Sequence, residues 1–589
     1  MFKFHIFIAL LIPSALALHS PSGSNDSLPY LWPLPSDFTS GNATLSVDPQ
    51  LSLAVAGNGG NSAIVKAAFD RYRGIIFKHT SGVSIFEQIW GRRRTFVYDI
   101  SELKIVVHSD SEELQLGVDE SYTLFVSNKD AQSIIGEATI EAPTVYGALR
   151  GLETFSQLCT FNYETKDVQI YQAPWYIKDS PRFSYRGLLI DTSRHFLPVD
   201  VIKHIIESMS YAKLNVLHWH MVDEESFPLE VPSYPNLWKG AYTKHERYTI
   251  EDAYDIVTFA KMRGINVMAE VDVPGHAESW GVGYPNLWPS PSCKEPLDVT
   301  KNFTFDLISG ILTDLRKIFP FELFHLGGDE VNTDCWETVP HVKQWLVDQN
   351  MTTKDAYKYF VLRAQELAIS KNWTPVNWEE TFVNFPEGLN PSTIVHNWLR
   401  GGICPKAVAH GFRCIFSDQG VWYLDHLDVP WDRAYRADPL EGVSDFSQQK
   451  LIIGGEACMW GETADASNVQ QTIWPRAATA AERLWSKNET VSGNITVSVL
   501  PRLSYFRCLL NRRGVEAAPV KNFYARRPPT GPGSYLSLFL WCSLFTVRTM
   551  SIYLITLLFF CSSLLSSLTY STSTLPCDFP ICSFFCPGD

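Results

Sequence analysis

From Arg186 onward, short apolar runs alternate with longer stretches in which apolar residues recur at helical spacing. Each run has the length and the β-branched and aromatic content of a buried strand. Eight consecutive strand–helix units favour an α/β fold with a closed (β/α)8 barrel over an open doubly wound sheet. No Gly-x-Gly-x-x-Gly follows the first run, which argues against a dinucleotide-binding fold. The predicted strands are 187–191, 216–222, 265–271, 323–326, 374–378, 393–398, 414–417 and 451–455.

The first part of the chain has a mixed pattern. Residues 103–107 and 122–126 alternate like strands, whereas 62–73 and 144–158 have helical periodicity. This part carries no cluster of acids or of histidines at metal-ligand spacing. We therefore predict an N-terminal support domain over 28–177, followed by a catalytic barrel over 180–525.

Acidic and aromatic residues follow the predicted barrel strands. The carboxyl ends of parallel strands in a barrel meet at one rim, where barrel enzymes place their active sites. This convergence therefore predicts an active site at that rim. The residues are Asp191, His218, Asp223, Asp272, His276, Asp329, Glu330, Trp378, Glu379, Trp398, Trp422, Tyr423, Asp425, Trp460 and Glu462.

Two adjacent acids, Asp329 and Glu330, are the strongest candidates for the chemistry. They follow an apolar run that ends in Gly327-Gly328, a pair suited to a tight turn. Carboxylates at the end of a buried strand are costly unless they act on something. In extended backbone they point in opposite directions, so one can face a reacting bond while the other grips a different group. The alternative is a helix N-terminus, where acids cap and favour the dipole; the strand and the glycines favour catalysis.

Composition excludes some functions and suggests others. The 589 residues carry a formal net charge of −14 without a long basic run, which argues against a nucleic-acid partner. The chain exceeds a single compact core, so two or more domains are expected. Its 18 Trp and 13% aromatic residues are high values, and Trp is the residue that stacks on the apolar faces of sugar rings.

Residues 1–17 have the pattern of a secretory signal: Lys3, an apolar stretch over 6–12, and a small-x-small site at 15–17. Asn-x-Ser/Thr sequons agree with secretion, although Asn372 is expected to be too buried for modification. The other sequons begin at Asn25, Asn42, Asn302, Asn350, Asn488 and Asn494.

The composition changes after Arg513. A Pro-rich segment precedes an apolar stretch over 535–568, of which 549–568 is uncharged and long enough to span a bilayer. A membrane anchor in the 535–589 tail is one interpretation. We favour an aberrant terminus, because the Cys- and Ser-rich sequence after 568 has no pattern of a packed element. A GPI signal fits poorly, since the apolar stretch does not run to the end.

Five motifs together resemble the β-N-acetylhexosaminidases of glycoside hydrolase family 20, and most of all the plant vacuolar members. The resemblance spans residues 30 to 534. It implies a zincin-like α/β domain before a (β/α)8 barrel and a disulfide between Cys293 and Cys335, whereas Cys508 lacks the partner usual in relatives. A vacuole or lysosome-like compartment is expected, with the cell exterior as the alternative, and a homodimer is the expected assembly. The motifs are RGLLIDTSRH (186–195), HWHMVD (218–223), DVPGH (272–276), HLGGDEVNTDCW (325–336) and GEACMWGE (455–462).

The resemblance implies substrate-assisted catalysis, in which the 2-acetamido oxygen of the sugar is the nucleophile. Glu330 would be the general acid and then the base, with its pKa raised by apolar walls and by the Asp329 charge. Asp329 would hold the acetamido N–H and stabilise the oxazolinium intermediate. Tyr423 would bind the acetamido oxygen.

Other substrate contacts are implied in the same way. Three tryptophans would enclose the acetamido methyl and the sugar ring, with barrel packing as the alternative. Arg186 and Glu462 would bind the outer hydroxyls of the terminal sugar, which enforces exo-action. The alternative for Arg186 is a salt bridge that ties the first barrel strand to its neighbour. The tryptophans are Trp378, Trp398 and Trp460.

Three further acids and one histidine complete the expected site. Asp223 and His276 would orient the catalytic acid, with a buried structural pair as the alternative. Asp425 would contact the sugar 6-hydroxyl and, as an anion, disfavour 6-sulfated sugars. Glu225 is expected to be peripheral.

The predicted function is an exo-acting β-N-acetylhexosaminidase that acts on N-glycans, other glycoconjugates or chito-oligosaccharides. The alternative is a catalytically silent glycan-binding protein on the same scaffold. No cofactor or metal is expected. His218 and His220 would face one side of a strand, as zinc ligands can, but no third ligand follows at typical spacing.

Overall fold

The computed structural model describes residues 29–79, 97–128, 136–400, 402–488 and 494–521. The predicted signal sequence, the Asn25 sequon and the apolar 535–589 tail lie outside these ranges. Among the helices within them, none has the length and apolar character needed to cross a bilayer.

The N-terminal part forms a six-stranded mixed sheet with one buried face. Strand order is β1-β2-β4-β3-β6-β5, and β1 also pairs with β6. Buried and exposed residues alternate along β6, as expected for a sheet with one solvated face. The strands are β1 (Asp37–Ala56), β2 (Ile100–Val107), β3 (Tyr122–Asn128), β4 (Gly136–Ala142), β5 (Cys159–Asn162) and β6 (Asp167–Asp179).

Two amphipathic helices cover this sheet, α1 (Ala63–Ile76) and α2 (Val145–Leu158). Each begins where the sequence provides a cap: the Ser62 side chain accepts from Ile64 N, and the Thr144 side chain accepts from Gly147 N. Every residue of α2 is buried. The strands and helices predicted for this part of the chain are therefore confirmed.

The second part is a closed barrel of eight parallel strands, and its last strand pairs with its first. Each of the eight predicted apolar runs overlaps one strand, so the predicted (β/α)8 fold is confirmed. The strands are β7 (Tyr185–Asp191), β8 (Val216–His220), β9 (Asn266–Glu270), β10 (Leu323–His325), β11 (Thr374–Trp378), β12 (Ile394–Asn397), β13 (Arg413–Phe416) and β14 (Ile452–Met459).

Helices surround the barrel and fill the connections. Short 3-10 helices lie at Pro235–Gly240, Pro285–Leu287 and Pro386–Gly388. The α-helices are α3 (Val199–Tyr211), α4 (Ile250–Lys261), α5 (Trp280–Gly283), α6 (Asn302–Leu315), α7 (Asp334–Thr338), α8 (Pro340–Gln349), α9 (Thr353–Ser370), α10 (Glu379–Asn384), α11 (Ile403–Ala409), α12 (Trp431–Arg436), α13 (Phe446–Gln449), α14 (Val469–Ile473), α15 (Arg476–Trp485), α16 (Ile495–Ser498) and α17 (Leu500–Arg513).

A buried ion cluster joins the N-terminal domain to the floor of the barrel. Glu120 Oε2 accepts from Arg186 Nη2 and from Arg150 Nε, each at 2.7 Å. Arg186 is at the amino end of β7 and is fully buried, and its other N–H groups donate to the carbonyls of Lys213 and Phe183. The sugar-binding role expected for Arg186 is therefore wrong, because its side chain lies at the end of the barrel opposite the rim. Arg186 does form a salt bridge, as the alternative held, but its partner Glu120 belongs to the N-terminal domain and not to a neighbouring barrel strand.

Two disulfides are present among the described residues. The predicted bridge between Cys293 and Cys335 is confirmed, and a second one joins Cys404 to Cys414 on α11 and β13. The sequon asparagines that the structure describes are all exposed. Asn372 is one of them, so the expectation that it is buried is wrong. The others are Asn42, Asn302, Asn350, Asn488 and Asn494.

Candidate active site

The loop that carries the two acids begins with a left-handed turn after β10. Gly327 and Gly328 have φ of +59° and +94°, which residues with a Cβ rarely adopt. The Gly328 N–H donates to Asp272 Oδ1 at 2.8 Å. A Cβ on Gly327 would lie 1.9 Å from the carboxyl of Asp272. The turn and the neighbouring acid therefore occupy the space that a side chain at 327 would need.

Asp329 and Glu330 lie beyond this turn and are not part of a helix. The next helix, α7, begins at Asp334, so the helix-cap alternative is wrong. The backbone of Glu330 is left-handed, with φ of +48°, and the two acids are not extended neighbours as expected. Instead both face one histidine: His276 Nε2 is 3.7 Å from Asp329 Oδ2 and 3.6 Å from Glu330 Oε2.

His276 joins these acids to a buried carboxylate. Its Nδ1 lies 3.0 Å from Asp223 Oδ1, and Asp223 is fully buried. Burial opposes the charged form of His276, but Asp329, the hydrogen bond to Asp223 and the nearby Glu330 carboxylate outweigh it and raise the pKa of His276 strongly. Its carboxylate neighbours therefore favour the cationic form of His276. The structure brings Asp223, His276 and Glu330 together in the order that the sequence suggested.

The pKa of Glu330 is lowered, contrary to the sequence-based expectation. The largest cause is the close approach of His276, whose Nε2 is 3.6 Å from Glu330 Oε2, and this outweighs burial. The side chain of Glu330 is 59% exposed, so apolar walls exclude little water from it. Asp329 is only 13% exposed, and its Oδ1 is buried without a hydrogen-bond partner among the described residues. The two acids thus differ in environment as well as position.

Asp272 and Asp329 form a pair of acids behind the turn. Burial and the charge of Asp329 raise the pKa of Asp272 well above its usual range. Both effects favour the neutral form of the Asp272 carboxyl.

Four aromatic rings cluster at this rim, and one of them, Tyr423, interacts electrostatically with Asp329. The Trp398 and Tyr423 rings lie nearly parallel, with centroids 6.3 Å apart and planes at 15°. Trp460 lies 6.1 Å from Tyr423 and 6.0 Å from Trp378. Leu189 and Cys458 pack against these rings from within the barrel. The tryptophans and the tyrosine predicted from sequence are thus one cluster.

A buried carboxylate beneath the pocket was missed by the sequence analysis. Glu270 Oε1 accepts from Trp378 Nε1 at 3.0 Å, and its Oε2 lies 2.6 Å from His220 Nδ1. His220 Nε2 in turn lies 2.8 Å from Asp223 Oδ2. One carboxylate therefore connects the aromatic pocket to the histidine–aspartate pair. The sequence feature that could have identified Glu270 is its position as an acid at the last residue of a buried strand.

The His218-x-His220 pair belongs to this network. Burial alone would lower the pKa of His218, but Glu456 and Glu270 raise it to about 9. Glu270 and Asp223 raise the pKa of His220 to about 10 against the same burial effect. Both ring nitrogens of each histidine face carboxylates and carry protons, which makes them ion-pair donors.

The guanidinium that reaches the rim is that of Arg194, which the sequence analysis did not single out. Its Nη1 lies 3.1 Å from Asp191 Oδ2 and its Nη2 lies 2.7 Å from Asp223 Oδ2. It also stacks over Trp460, 5.3 Å from the ring centroid. Its position after the carboxyl end of β7 was the available signal. Glu225, which is exposed, accepts from Arg194 Nε at 3.2 Å.

Asp425 and Glu462 lie on the same side of the rim. Burial raises the pKa of Asp425 to about 6; the His426 charge opposes this shift, and Glu462 adds to it. Asp425 Oδ1 is buried and has no hydrogen-bond partner in the part of the chain that the structure describes. Glu462 is exposed. Glu462 interacts electrostatically with both Asp425 and Arg194, and Arg194 lies over the Trp460 ring.

Comparisons with known proteins agree with this arrangement. Residues 183–488 match the family described as "Glycosyl hydrolase family 20, catalytic domain", and residues 31–158 match "beta-acetyl hexosaminidase like". Beta-hexosaminidase 1 of Arabidopsis thaliana is 74% identical over 530 residues, which is 90% of this chain and 97% of the relative. The human beta-hexosaminidase subunit beta is 34% identical over 533 residues, 87% of this chain and 92% of the relative.

A solved structure supports the same fold. The chitobiase of Flavobacterium johnsoniae has a TM-score of 0.71 and is 28% identical in sequence. The likeness covers 82% of this chain and 73% of that chain. Since it spans both the sheet and the barrel, the two-part architecture is shared with that protein.

Proposed function

The chain belongs to glycoside hydrolase family 20, and we propose that it is an exo-acting, retaining β-N-acetylhexosaminidase that removes terminal β-linked GlcNAc or GalNAc. The resemblance to plant β-hexosaminidases is confirmed. The observation that carries the function is the Asp329–Glu330 pair, with its His276–Asp223 support, beside a four-ring pocket. A silent glycan-binding protein would have no need of that support, so this alternative is set aside.

In the first half of the reaction, Glu330 in its acid form donates its proton to the glycosidic oxygen as the bond to C1 breaks. The acetamido oxygen of the same sugar attacks C1 and closes an oxazolinium ring. Asp329 accepts a hydrogen bond from the acetamido N–H and stabilises the positive charge. Tyr423, whose hydroxyl pKa is raised by burial, stays protonated and can donate to the acetamido oxygen.

In the second half, the Glu330 carboxylate takes a proton from water as the water attacks C1 and the oxazolinium ring opens. Two inversions at C1 give overall retention. The cation at His276 keeps Glu330 ionised in the open site, and a bound sugar that covers Glu330 raises its pKa toward the acid role.

The rim accounts for exo-action. In this proposal Arg194 and Glu462 bind the outer hydroxyls of a terminal sugar, and Asp425 binds its 6-hydroxyl; the mutual interactions of these three side chains at the rim support it. Arg194 thus takes the role that was expected of Arg186. A chain that continued beyond these hydroxyls would meet the charged rim, so only a non-reducing end fits.

We further propose N-glycans, other glycoconjugates and chito-oligosaccharides as natural substrates. A vacuole or lysosome-like compartment, or alternatively the cell exterior, agrees with the signal-like N-terminus and the exposed sequons. A homodimer is the assembly we propose. Neither a metal nor a cofactor enters the mechanism.

A pair of aryl glycosides tests the function and the nucleophile together. The protein should hydrolyse an aryl β-N-acetylglucosaminide, and the β-glucoside with the same aglycone should react about 10⁴-fold more slowly, because it lacks the acetamido nucleophile. The measurement is kcat/KM for each by release of the chromophore. Comparable values would mean that a protein carboxylate is the nucleophile, and no hydrolysis of either would refute the function.

The raised pKa of Asp425 predicts a pH-dependent selectivity against 6-sulfated sugars. Above pH 6 the carboxylate is ionised and repels the sulfate; below pH 6 it is protonated and the repulsion is lost. The preference for the neutral over the 6-sulfated substrate should therefore be about tenfold larger at pH 7 than at pH 5, equivalent to ~1.4 kcal/mol. In Asp425→Asn the ratio should be the same at both pH values. A wild-type ratio that does not change with pH would refute this role.

A further inference from the structure

Two consecutive glutamates at the start of α10 hold Trp398. The indole N–H of Trp398 donates to Glu380, 3.0 Å from Oε1 and 2.9 Å from Oε2. The backbone N–H of Trp398 donates to Glu379 Oε2 at 2.8 Å, and that of Leu399 donates to the same oxygen at 3.1 Å. Glu379 thus fixes the backbone of the loop after β12, and Glu380 fixes the ring of Trp398.

We propose that Glu380 is a positioning residue for the acetamido group: its carboxyl orients Trp398 through the indole N–H and so sets the width of the pocket. This inference rests on the proposed function, since it assigns the Trp398–Tyr423 space to the N-acyl group. Glu380 itself touches no reacting atom in this assignment. It acts on specificity through the ring that it holds.

The position of Trp398 in the pocket explains why the ring needs an anchor. Trp378 is 1% exposed and packs inside the barrel, whereas Trp398 is only half-buried at the rim. A half-buried ring has fewer neighbours to define its rotamer. Because its plane lies at 15° to that of Tyr423, a small rotation of Trp398 changes the space between the two rings. The hydrogen bond to Glu380 limits that rotation.

Two tryptophans of the pocket each donate their indole N–H to a glutamate. Glu270 accepts from the indole N–H of Trp378 at 3.0 Å, as Glu380 does from Trp398. A buried indole N–H needs an acceptor, and a carboxyl placed behind the ring supplies it without entering the pocket. Two of the three tryptophans are therefore oriented from outside the space they enclose.

The environment of Glu380 allows it to anchor the ring without adding a second anion. Burial, the charge of Asp329 and that of Glu379 raise the pKa of Glu380 to about 8, against the effect of the Trp398 hydrogen bond. At acid pH the side chain is therefore a neutral acid, and one of its oxygens still accepts from the indole. Glutamine at 380 would be neutral and would also offer an acceptor oxygen, which makes Glu380→Gln the matched control for Glu380→Ala.

The test compares aryl β-glucosaminides that carry an N-acetyl or an N-propanoyl group. In Glu380→Ala the propanoyl-to-acetyl ratio of kcat/KM should rise about tenfold, because a freed Trp398 admits the larger acyl group and positions the smaller one poorly. Glu380→Gln should keep the wild-type ratio within about twofold. Glu387→Ala, at an exposed glutamate in the same connection, should leave kcat/KM unchanged for both substrates.

Trp398→Phe provides an independent measurement, because it retains a ring but removes the N–H. It should raise the propanoyl-to-acetyl ratio in the same direction, and adding Glu380→Ala to it should raise the ratio no further. An unchanged ratio in Glu380→Ala or Trp398→Phe, or additive effects in the double variant, would overturn the inference. If wild type fails to cleave the N-acetyl substrate, the proposed function is refuted instead.

Discussion

Replacing Glu330 with glutamine should lower kcat/KM for a GlcNAc disaccharide by about 10³-fold, the size of effect that general acid–base catalysis supplies. Glutamine keeps the shape of the side chain but cannot donate a proton to the leaving oxygen or take one from water. His276 would retain Asp223 and Asp329 as partners, so the site should stay assembled. The measurement is the initial rate of GlcNAc release across pH 4 to 8.

The choice of leaving group makes this result specific. An aryl glycoside with an acidic phenol needs less help from a general acid, so its loss in Glu330→Gln should be smaller than that of the disaccharide. Glu337→Gln, at an exposed glutamate of α7, is the control and should retain wild-type rates. Equal rates for Glu330→Gln and wild type on the disaccharide would remove Glu330 from the acid role.

Replacing Glu120 with glutamine should destabilise the protein by about 3 kcal/mol, because removal of one partner leaves buried charge uncompensated. Glu120 is 2% exposed and lies between Arg150 and Arg186, and it also accepts from Asn215 Nδ2 at 2.9 Å. Glutamine would leave two buried guanidinium groups beside a neutral amide. Thermal and urea unfolding would measure the loss.

The same variant decides where Arg186 acts. Since this cluster lies at the amino end of the barrel, the folded fraction of Glu120→Gln should keep the wild-type KM. The control is Glu141→Gln at the exposed His108–Glu141 pair, where a surface contact is expected to contribute less than ~1 kcal/mol. If Glu120→Gln left the stability unchanged and raised KM, the result would support a sugar-binding role for Arg186.

The barrel was predictable because each of its strands is a buried apolar run, and eight such runs alternate with helical stretches along the chain. The site was predictable as far as it follows the strand ends, which placed Asp329, Glu330 and the aromatic rings at one rim. The two arginines of the 186–195 motif show where that reasoning stopped. Arg186 lies near the amino end of β7, and Arg194 follows its carboxyl end. The two side chains are therefore at opposite ends of the barrel.

Other features depend on residues that are distant in the chain. The pKa of Glu330 is set by its exposure and by a cation at His276, and a sequence shows neither. Glu120, the partner of Arg186, lies 66 residues earlier, in a loop of the other domain. Glu270 reads as part of a strand until its contacts with Trp378 and His220 are known. These are tertiary contacts, and no local pattern encodes them.

The left-handed Gly327-Gly328 turn bears on how related sequences should be judged. A Cβ at 327 would lie 1.9 Å from the carboxyl of Asp272, so even alanine would displace either Asp272 or the loop that carries both acids. A homologue can therefore keep the Asp-Glu pair and still have lost its activity, if a larger residue has replaced this glycine. When related sequences are judged, the residue at position 327 should therefore be examined together with the two acids.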